Sequence, residues 1–201
     1  MKVIEIIDVV KIYTEAEMNV VAVNGVTLDF DEGEFTVVVG PSGSGKTTLL
    51  NMIGGLDLPT SGEIIIGGSS ITALNGAELT NFRLHNIGFV FQSYNLIPVL
   101  TAKENTEFVM NLQGKPKKEC DARSLELLKA VGLEERVNAR PAKLSGGQQQ
   151  RVAVARALAA KPKFVLADEP TANLDSKATE TLLEIMEKLN REENITFIFS
   201  T

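Results

Sequence analysis

The sequence contains one cysteine, one histidine and no apolar run of the length that a transmembrane helix needs. Cys120 has no partner for an internal disulfide and no metal-binding motif around it, so a lone structural or surface thiol is expected. His85 has no partner motif nearby, which favours a surface or packing role. Charges interrupt the first residues and rule out a signal-peptide pattern, so we expect a cytoplasmic protein.

The sequence also lacks an excess of basic residues, since its formal net charge is −6. Binding to a phosphate backbone needs a basic face, so no nucleic acid partner is predicted, whereas docking on a membrane protein is compatible with this charge. A composition of 44% hydrophobic and 23% charged residues is that of an ordinary globular protein. Its 201 residues suffice for one sizeable core, with or without an inserted lobe.

The stretch that predicts most about function is a glycine-rich loop, Gly40–Thr48. It follows the β-branched run Phe35–Val39, which predicts a buried strand, and leads into Thr48–Ile53, which predicts the start of a helix. A strand, a glycine loop and a helix in this order form the context of a phosphate-binding P-loop and disfavour a simple glycine-rich turn. Backbone N–H groups would bind phosphate oxygens, Lys46 would reach the outer phosphates, and Thr47 would hold Mg²⁺.

The run Lys163–Glu169 predicts a buried strand, because its middle is apolar, and it ends in two adjacent acids. Asp168 would orient Mg²⁺, directly or through water, and Glu169 would polarise the attacking water as a general base. A solvated strand end that carries two acids is the ordinary alternative. In a chain that also contains a P-loop, the functional interpretation is favoured.

A second glycine-containing helix start occurs at Leu144–Gln148, which reads LSGGQ. Ser145 is placed as an N-cap, and the helix is predicted to run through Ala160. Backbone N–H groups and the positive end of the helix would bind an anion here, as they would in the P-loop. Because the two helix starts are far apart in sequence, they could belong to different composite sites.

Strands are also predicted in the N-terminal region, at Val3–Val10 and Val20–Phe30. Asn24-Gly25 predicts a turn or a bulge within the second of them. Tyr13 is placed between the two strands, where an aromatic ring could stack on a base, although most tyrosines only pack. Pro59–Glu63 predicts a turn.

Helices are predicted at Thr101–Leu112 and at Lys117–Val131, and the apolar spacing of the second is typical of an amphipathic helix. They indicate an all-helical lobe inserted into an α/β core. We therefore expect a single unit in which residues 96–158 form the helical lobe, while residues 1–95 and 159–201 form the core.

Together these motifs resemble the nucleotide-binding cassette of ABC transporters, and the resemblance covers nearly the whole chain. LSGGQ is close to diagnostic of that family, and it lies in the family's order between Gln92 and Asp168-Glu169. Shorter runs look most like the subgroup that serves lipoprotein release and macrolide-type export. These runs are Phe89–Gln92, Asn95–Pro98, Leu100–Ala102, Gln148–Ala153 and Leu166–Thr171.

The resemblance implies an α/β fold, in which a P-loop NTPase core with a mostly parallel sheet carries an N-terminal antiparallel β subdomain and an inserted α-helical subdomain. It also implies an ATPase with ATP and Mg²⁺ as cofactors. Catalysis would depend on Glu169, Lys46 and Gln92, and Mg²⁺ would be held by Thr47, Gln92 and Asp168. The implied ATP-binding residues are Tyr13 (adenine stacking), Gly40, Pro41, Ser42, Gly43, Ser44, Gly45, Lys46, Thr47, Thr48, Gln92, Ser145, Gly146, Gly147, Gln148 and Asp175.

The resemblance further implies partners. Two copies would sandwich ATP head to tail, with Ser145 of one copy facing the nucleotide of the other and Asp175 linking the two sites. Gln92 would begin the loop that meets a transmembrane permease subunit, and the lobe Leu96–Leu158 would carry that docking surface at the inner face of the membrane. A soluble ABC ATPase of translation or DNA repair, and a non-hydrolysing interaction subunit, are the alternatives. The chain shows no sustained heptads of the kind that coiled-coil insertions need.

The sequence departs from the family pattern at two points. Ala172 stands where the subgroup often has glycine, a small change that we expect to be tolerated. The family places a switch histidine immediately after a strand such as Ile195–Ser200, whereas this sequence stops at Thr201, and His85 lies in the wrong segment to replace it. We therefore expect a C-terminally truncated cassette that binds Mg-ATP and hydrolyses it weakly.

Overall fold

A computed structural model describes residues 1–15 and 18–201. Alongside three short 3₁₀ turns, these residues form eight strands and six helices. The elements are β1 (Lys2–Glu15), β2 (Met18–Asp31), β3 (Phe35–Val38), α1 (Lys46–Ile53), β4 (Ser61–Ile66), β5 (Ser69–Ser70), α2 (Gly76–Asn86), β6 (Ile87–Val90), α3 (Ala102–Leu112), α4 (Lys117–Ala130), α5 (Gly146–Ala159), β7 (Phe164–Ala167), α6 (Ser176–Glu193) and β8 (Thr196–Ser200).

The strands form two four-stranded sheets. One has the order β2-β1-β4-β5 and is antiparallel throughout, and the other has the order β3-β8-β7-β6 and is parallel throughout. β7 lies inside the parallel sheet and is buried at all four positions, which agrees with its unbroken apolar sequence. The predicted α/β class, with a parallel sheet and an N-terminal antiparallel sheet, is confirmed.

The parallel sheet separates two hydrophobic clusters, because successive side chains of a strand point to opposite faces. Val165 and Phe197 pack into a cluster with apolar residues of helices α3, α4, α5 and α6. Phe164, Leu166 and Ile198 pack into the other cluster, with α1, α2 and the inner face of the antiparallel sheet. The strands that carry the site are therefore held from both sides.

The N-terminal hairpin differs from the prediction in its length. β1 runs through Glu15, so Tyr13 lies within a strand rather than between two strands. The predicted irregularity at Asn24-Gly25 is confirmed as a bulge in β2, where Gly25 has φ +63° and the register to β1 shifts. Ser61–Glu63 was predicted as part of a turn but begins β4, and it pairs with β1 around Ile7 and Val10.

Helices α3 and α4 lie between β6 and β7 in the sequence and are joined by a buried polar contact. The carboxylate of Glu107 is 3% exposed, accepts a hydrogen bond from Ser124 (2.9 Å) and lies 3.3 Å from the ammonium of Lys103. Lys103 also pairs with Asp121 of α4. In residues 1–15 and 18–201, no helix combines the length and the apolar character that a membrane span requires.

Candidate functional site

The predicted site residues follow the carboxyl ends of the parallel strands. Gly40–Thr48 comes after β3, Gln92 after β6, and Asp168 and Glu169 directly after β7. The backbone N–H of Asp168 donates to the carbonyl of Val90 at 3.0 Å, which holds the end of β7 against β6. Because the carboxyl ends of parallel strands meet at one edge, segments separated by more than a hundred residues form one site.

Glycine residues and hydrogen bonds from Lys46 determine the conformation of the P-loop. Gly45 has φ +90°, and a Cβ built on it would lie 2.2 Å from the carbonyl oxygen of Ala22 in β2, so only glycine fits at this close approach. The ammonium of Lys46 donates to the carbonyls of Gly40 (2.7 Å) and Pro41 (3.2 Å). These bonds hold the positive charge against the loop, where outer phosphates would bind.

Helix α1 begins without a side-chain cap. Asn75, Thr101, Ser145 and Asp175 cap α2, α3, α5 and α6 with side-chain oxygens. Among the residues that the structure describes, no side chain caps α1 or α4, but α4 has Glu119 in its first turn, whereas α1, which begins after Gly45, has no acid there. Its first N–H groups and the positive end of its dipole are therefore available to an anion, and the triphosphate of ATP fits this arrangement.

A chain of hydrogen bonds connects α1, β7 and β8. The hydroxyl of Thr47 donates to Oδ1 of Asp168 at 3.1 Å. The hydroxyl of Ser200 donates to the same oxygen at 2.7 Å and accepts the backbone N–H of Glu169 at 3.0 Å. Glu169 is half-buried and has φ +43°, a left-handed conformation that is uncommon outside glycine.

The chemistry of these oxygens suits Mg²⁺. Mg²⁺ prefers oxygen ligands and commonly takes one or two carboxylates, with phosphates and water completing its coordination. By donating its proton to Asp168, Thr47 leaves its hydroxyl lone pairs free for a cation. In the described residues no cluster of three or more His, Cys, Asp or Glu side chains could hold a metal by itself.

Gln92 lies at the same edge, but its contacts differ from those of Thr47 and Asp168. Its backbone carbonyl accepts a hydrogen bond from the amide of Asn173 at 2.9 Å. Across residues 1–15 and 18–201, no hydrogen bond joins its exposed side chain to either Thr47 or Asp168. Arg156 of α5 donates to the carbonyl of Tyr94 at 2.9 Å, which fixes the loop that follows Gln92.

Tyr13 is held by a small charged network beside the antiparallel sheet. Its hydroxyl donates to Asp57 at 2.7 Å, and the ammonium of Lys11 lies 4.9 Å from its ring centroid and 2.6 Å from the same carboxylate. The hydrogen bond to Asp57 raises the pKa of Tyr13. Burial alone would raise the pKa of Asp57, but hydrogen bonds from Lys11 and Tyr13 outweigh it and lower that pKa. As a residue Tyr13 is 38% exposed.

The LSGGQ segment forms a separate cluster. Ser145 caps α5 as predicted, because its hydroxyl accepts the N–H of Gln148 at 3.3 Å and its own N–H donates to the Gln148 side chain at 2.9 Å. Asp175 caps α6 through the N–H of Ala178 at 2.8 Å. Ser145, Gly146, Gly147 and Asp175 line one hollow of about 330 Å³, to which Gly40–Thr48 contributes no residue. Within one chain the two glycine motifs therefore line different spaces.

Three residues at these sites were missed by the sequence prediction: Ser200, Asn173 and Asp57. Ser200 ends the predicted strand Ile195–Ser200, and polar residues at the ends of parallel strands meet at one edge, so its place in that strand was the available signal. No local pattern indicates that Asn173 would contact Gln92 or that Asp57 would contact Tyr13. These contacts join residues 81 and 44 positions apart, respectively.

Comparison with known proteins identifies relatives over nearly the whole chain. The family model described as ABC transporter matches residues 23–172. An uncharacterized ABC transporter ATP-binding protein of Thermotoga maritima is 53% identical over 189 residues, which cover 94% of this chain and 81% of that protein. The lipoprotein-releasing system ATP-binding protein LolD of Geobacter metallireducens is 44% identical over 198 residues, which cover 98% of this chain and 88% of LolD.

A solved structure shows the same fold. The ATP-binding cassette MJ0796 of Methanocaldococcus jannaschii, described as a dimer in a post-hydrolysis state with ADP and Pi, superposes with a TM-score of 0.90. It is 46% identical, and the match covers 98% of this chain and 87% of that one. At this identity the likeness extends from the fold to the family.

Proposed function

This chain belongs to the ATP-binding cassettes of the ABC transporter family, and we propose that it hydrolyses ATP with Mg²⁺ at the Thr47–Asp168 contact to drive a membrane permease. The observation that carries the proposal is the 3.1 Å hydrogen bond between these two residues, which lie 121 positions apart. This bond supports the proposal because it brings Asp168 next to Thr47 of the P-loop. Bound Mg²⁺ would neutralise charge on the phosphate oxygens.

In this proposal the chain's own groups have distinct tasks. The backbone of Gly40–Thr48 and the start of α1 bind the phosphates, and the ammonium of Lys46 contacts the outer ones. The carboxylate of Glu169 accepts a proton from the attacking water. Tyr13 stacks on the adenine ring, with its own orientation fixed by Asp57.

Asp168→Asn tests the metal site directly. The amide is a much weaker ligand for Mg²⁺ than the carboxylate, so the Mg²⁺ concentration for half-maximal ATP hydrolysis is expected to rise about tenfold or more, as loss of one charged contact implies. ATP binding without Mg²⁺ should change little. Titrations of Mg²⁺ at fixed ATP measure the Mg²⁺ requirement, and titrations of ATP in EDTA measure the binding. Glu63→Gln is a control that removes one exposed negative charge from β4. An unchanged Mg²⁺ requirement would remove Asp168 from the metal site.

We propose a head-to-tail pair of chains as the active form. The hollow lined by Ser145, Gly146, Gly147 and Asp175 is separate from the P-loop within one chain, so the start of α5 would face a nucleotide held by a second copy. The solved structure of the related cassette MJ0796 is dimeric, with ADP and Pi. Closure of such a pair on ATP would be the movement passed to the membrane partner.

An apolar hollow of about 270 Å³ is the proposed docking site for that membrane partner. Phe89, Phe91, Ile97 and Phe108 contribute to its lining, between the strand that precedes Gln92 and helix α3. A helix end of a permease with an exposed apolar side chain would fit it and would place this chain at the inner face of the membrane. The 44% identity to LolD supports a lipoprotein-release or exporter type of complex.

Phe108→Asp is expected to weaken binding to the proposed permease partner by about tenfold or more, since loss of a buried aromatic anchor commonly costs that much. ATP hydrolysis by the isolated chain should stay at the wild-type rate. Leu125→Asp is the matched control, because Leu125 on α4 is similarly exposed and lies outside the hollow. Co-purification in detergent measures the binding. If the isolated protein instead purifies with ribosomes or DNA, the soluble ATPase alternative gains support.

A further inference from the structure

We infer that Ser200 is a positioning residue for ATP hydrolysis, because its hydroxyl joins the side chain of Asp168 to the backbone of Glu169. This inference rests on the proposed roles of those two acids. Ser200 is the last residue of β8 and is fully buried. It pairs with Val38 at the end of β3, so it lies between the P-loop strand and the strand that carries the acids.

The hydroxyl of Ser200 donates one hydrogen bond and accepts another. The hydroxyl donates its proton to Oδ1 of Asp168 at 2.7 Å, and an oxygen lone pair accepts the N–H of Glu169 at 3.0 Å. Thr47 donates to the same Asp168 oxygen at 3.1 Å. Two hydroxyls thus fix the carboxylate from both sides, one from α1 and one from β8.

The second bond acts on the backbone of Glu169. This residue has φ +43°, and a non-glycine residue stays in the left-handed region only where its surroundings hold it there. The Ser200 oxygen is the acceptor that the N–H of Glu169 finds in this conformation. An apolar side chain at position 200 would leave that N–H without its partner and remove one donor from Asp168. Ser200 therefore sets the direction in which the Glu169 side chain leaves the strand.

Ser200→Ala is expected to lower kcat by about 10- to 100-fold, the range expected for loss of a hydrogen bond to a charged group. The Kd for ATP should change by less than about threefold, because the phosphate-binding loop is untouched. Ser200→Thr should restore most of the rate, since it keeps the hydroxyl. Ser200→Cys, which keeps the size but donates weakly, should fall between Thr and Ala.

A matched control comes from another buried serine. Ser124 donates to the buried carboxylate of Glu107 at 2.9 Å, remote from the P-loop edge, so Ser124→Ala removes a similar bond without touching the site. Ser124→Ala should leave kcat unchanged, although it should lower the thermal stability about as much as Ser200→Ala does. If the serine at 200 were only structural, both alanine variants would lose stability and neither would lose kcat per folded molecule.

The outcomes separate this inference from the proposed function. If Glu169→Gln abolishes turnover while Ser200→Ala keeps the wild-type kcat, or while the Thr and Ala variants are equally slow, the role of Ser200 is refuted and the proposed function stands. If Glu169→Gln itself keeps the wild-type rate, the proposed function fails first. In the Glu169→Gln background, Ser200→Ala should lower the residual rate much less than it does alone. If Ser200→Ala does not fold, the kcat values of the wild type, Ser200→Thr and Ser200→Cys test the inference. A fall in kcat in that order supports it, and equal values refute it.

Discussion

Glu169→Gln is expected to lower the steady-state rate of ATP hydrolysis by about 10²- to 10⁴-fold, the contribution usual for a general base. The amide keeps the size of the side chain but cannot accept a proton from water. The backbone bond from Glu169 to Ser200 does not depend on the side chain, so the fold of the site should be retained. ATP affinity should change little, because the phosphate contacts belong to the P-loop.

The same variant should also change the oligomeric state. If hydrolysis opens the proposed head-to-tail pair, blocking it should leave ATP-bound dimers stable enough to detect by size-exclusion chromatography with ATP and Mg²⁺. Glu180→Gln is the matched control, because it makes the same chemical change at an exposed position of α6. Wild-type turnover in Glu169→Gln would show that this carboxylate is not the base. Monomers in every condition would argue against ATP-driven pairing.

The local motifs of this site are predictable from sequence because short-range chemistry determines them. Ser145 and Gln148 are three residues apart, which is the spacing of a capping box, and the structure confirms the cap. Asp168 and Glu169 follow a four-residue strand of apolar side chains, so their place at a strand end needs no knowledge of the rest of the fold. The roles of these residues toward ATP and Mg²⁺ stay predictions.

The errors in the N-terminal region arise from contacts between distant segments. Ser61-Gly62 has the composition of a turn, but it pairs with β1 opposite a bulge at Asp8. A Cβ on Gly62 would lie 2.3 Å from the carbonyl oxygen of Asp8, so its glycine serves a close approach of two strands. Tyr13 lies beyond the apolar part of β1, and the alternation that marks a strand is absent there. Pairing with β2 extends the strand past that point.

The place of Ser200 at a strand end could be read from the sequence, but its hydrogen-bond partners could not, for a related reason. A serine at the end of a β-strand is common, and its meaning depends on which strands are its neighbours. The order β3-β8-β7-β6 places β8 between the P-loop strand and the strand that carries the acids. A strand order cannot be read from local periodicity, whereas the strand itself can.

Gly45→Ala is expected to destabilise the nucleotide-free protein by about 3 kcal/mol or more, because positive φ and a backbone collision add together. Gly45 has φ +90°, and its added Cβ would lie 2.2 Å from the carbonyl of Ala22, so α1 or β2 must move by a large part of an ångström. For a chain of this size the Tm should fall by about 10 °C. Displacement of the loop should also lower ATP affinity about 100-fold, as loss of one or two charge-assisted bonds implies.

Gly43→Ala separates the two causes of this loss. Gly43 has φ +78°, close to that of Gly45, but a Cβ added to it meets nothing within 4 Å. Gly43→Ala therefore introduces the backbone strain without the collision. We expect the free energy of unfolding of the nucleotide-free protein to fall by about 1 kcal/mol, as measured by thermal unfolding. Equal losses in the two variants would mean that φ alone determines the stability of the loop. A clearly larger loss at Gly45 would mean that contact with β2 sets the position of the P-loop, which makes the antiparallel sheet part of the phosphate site.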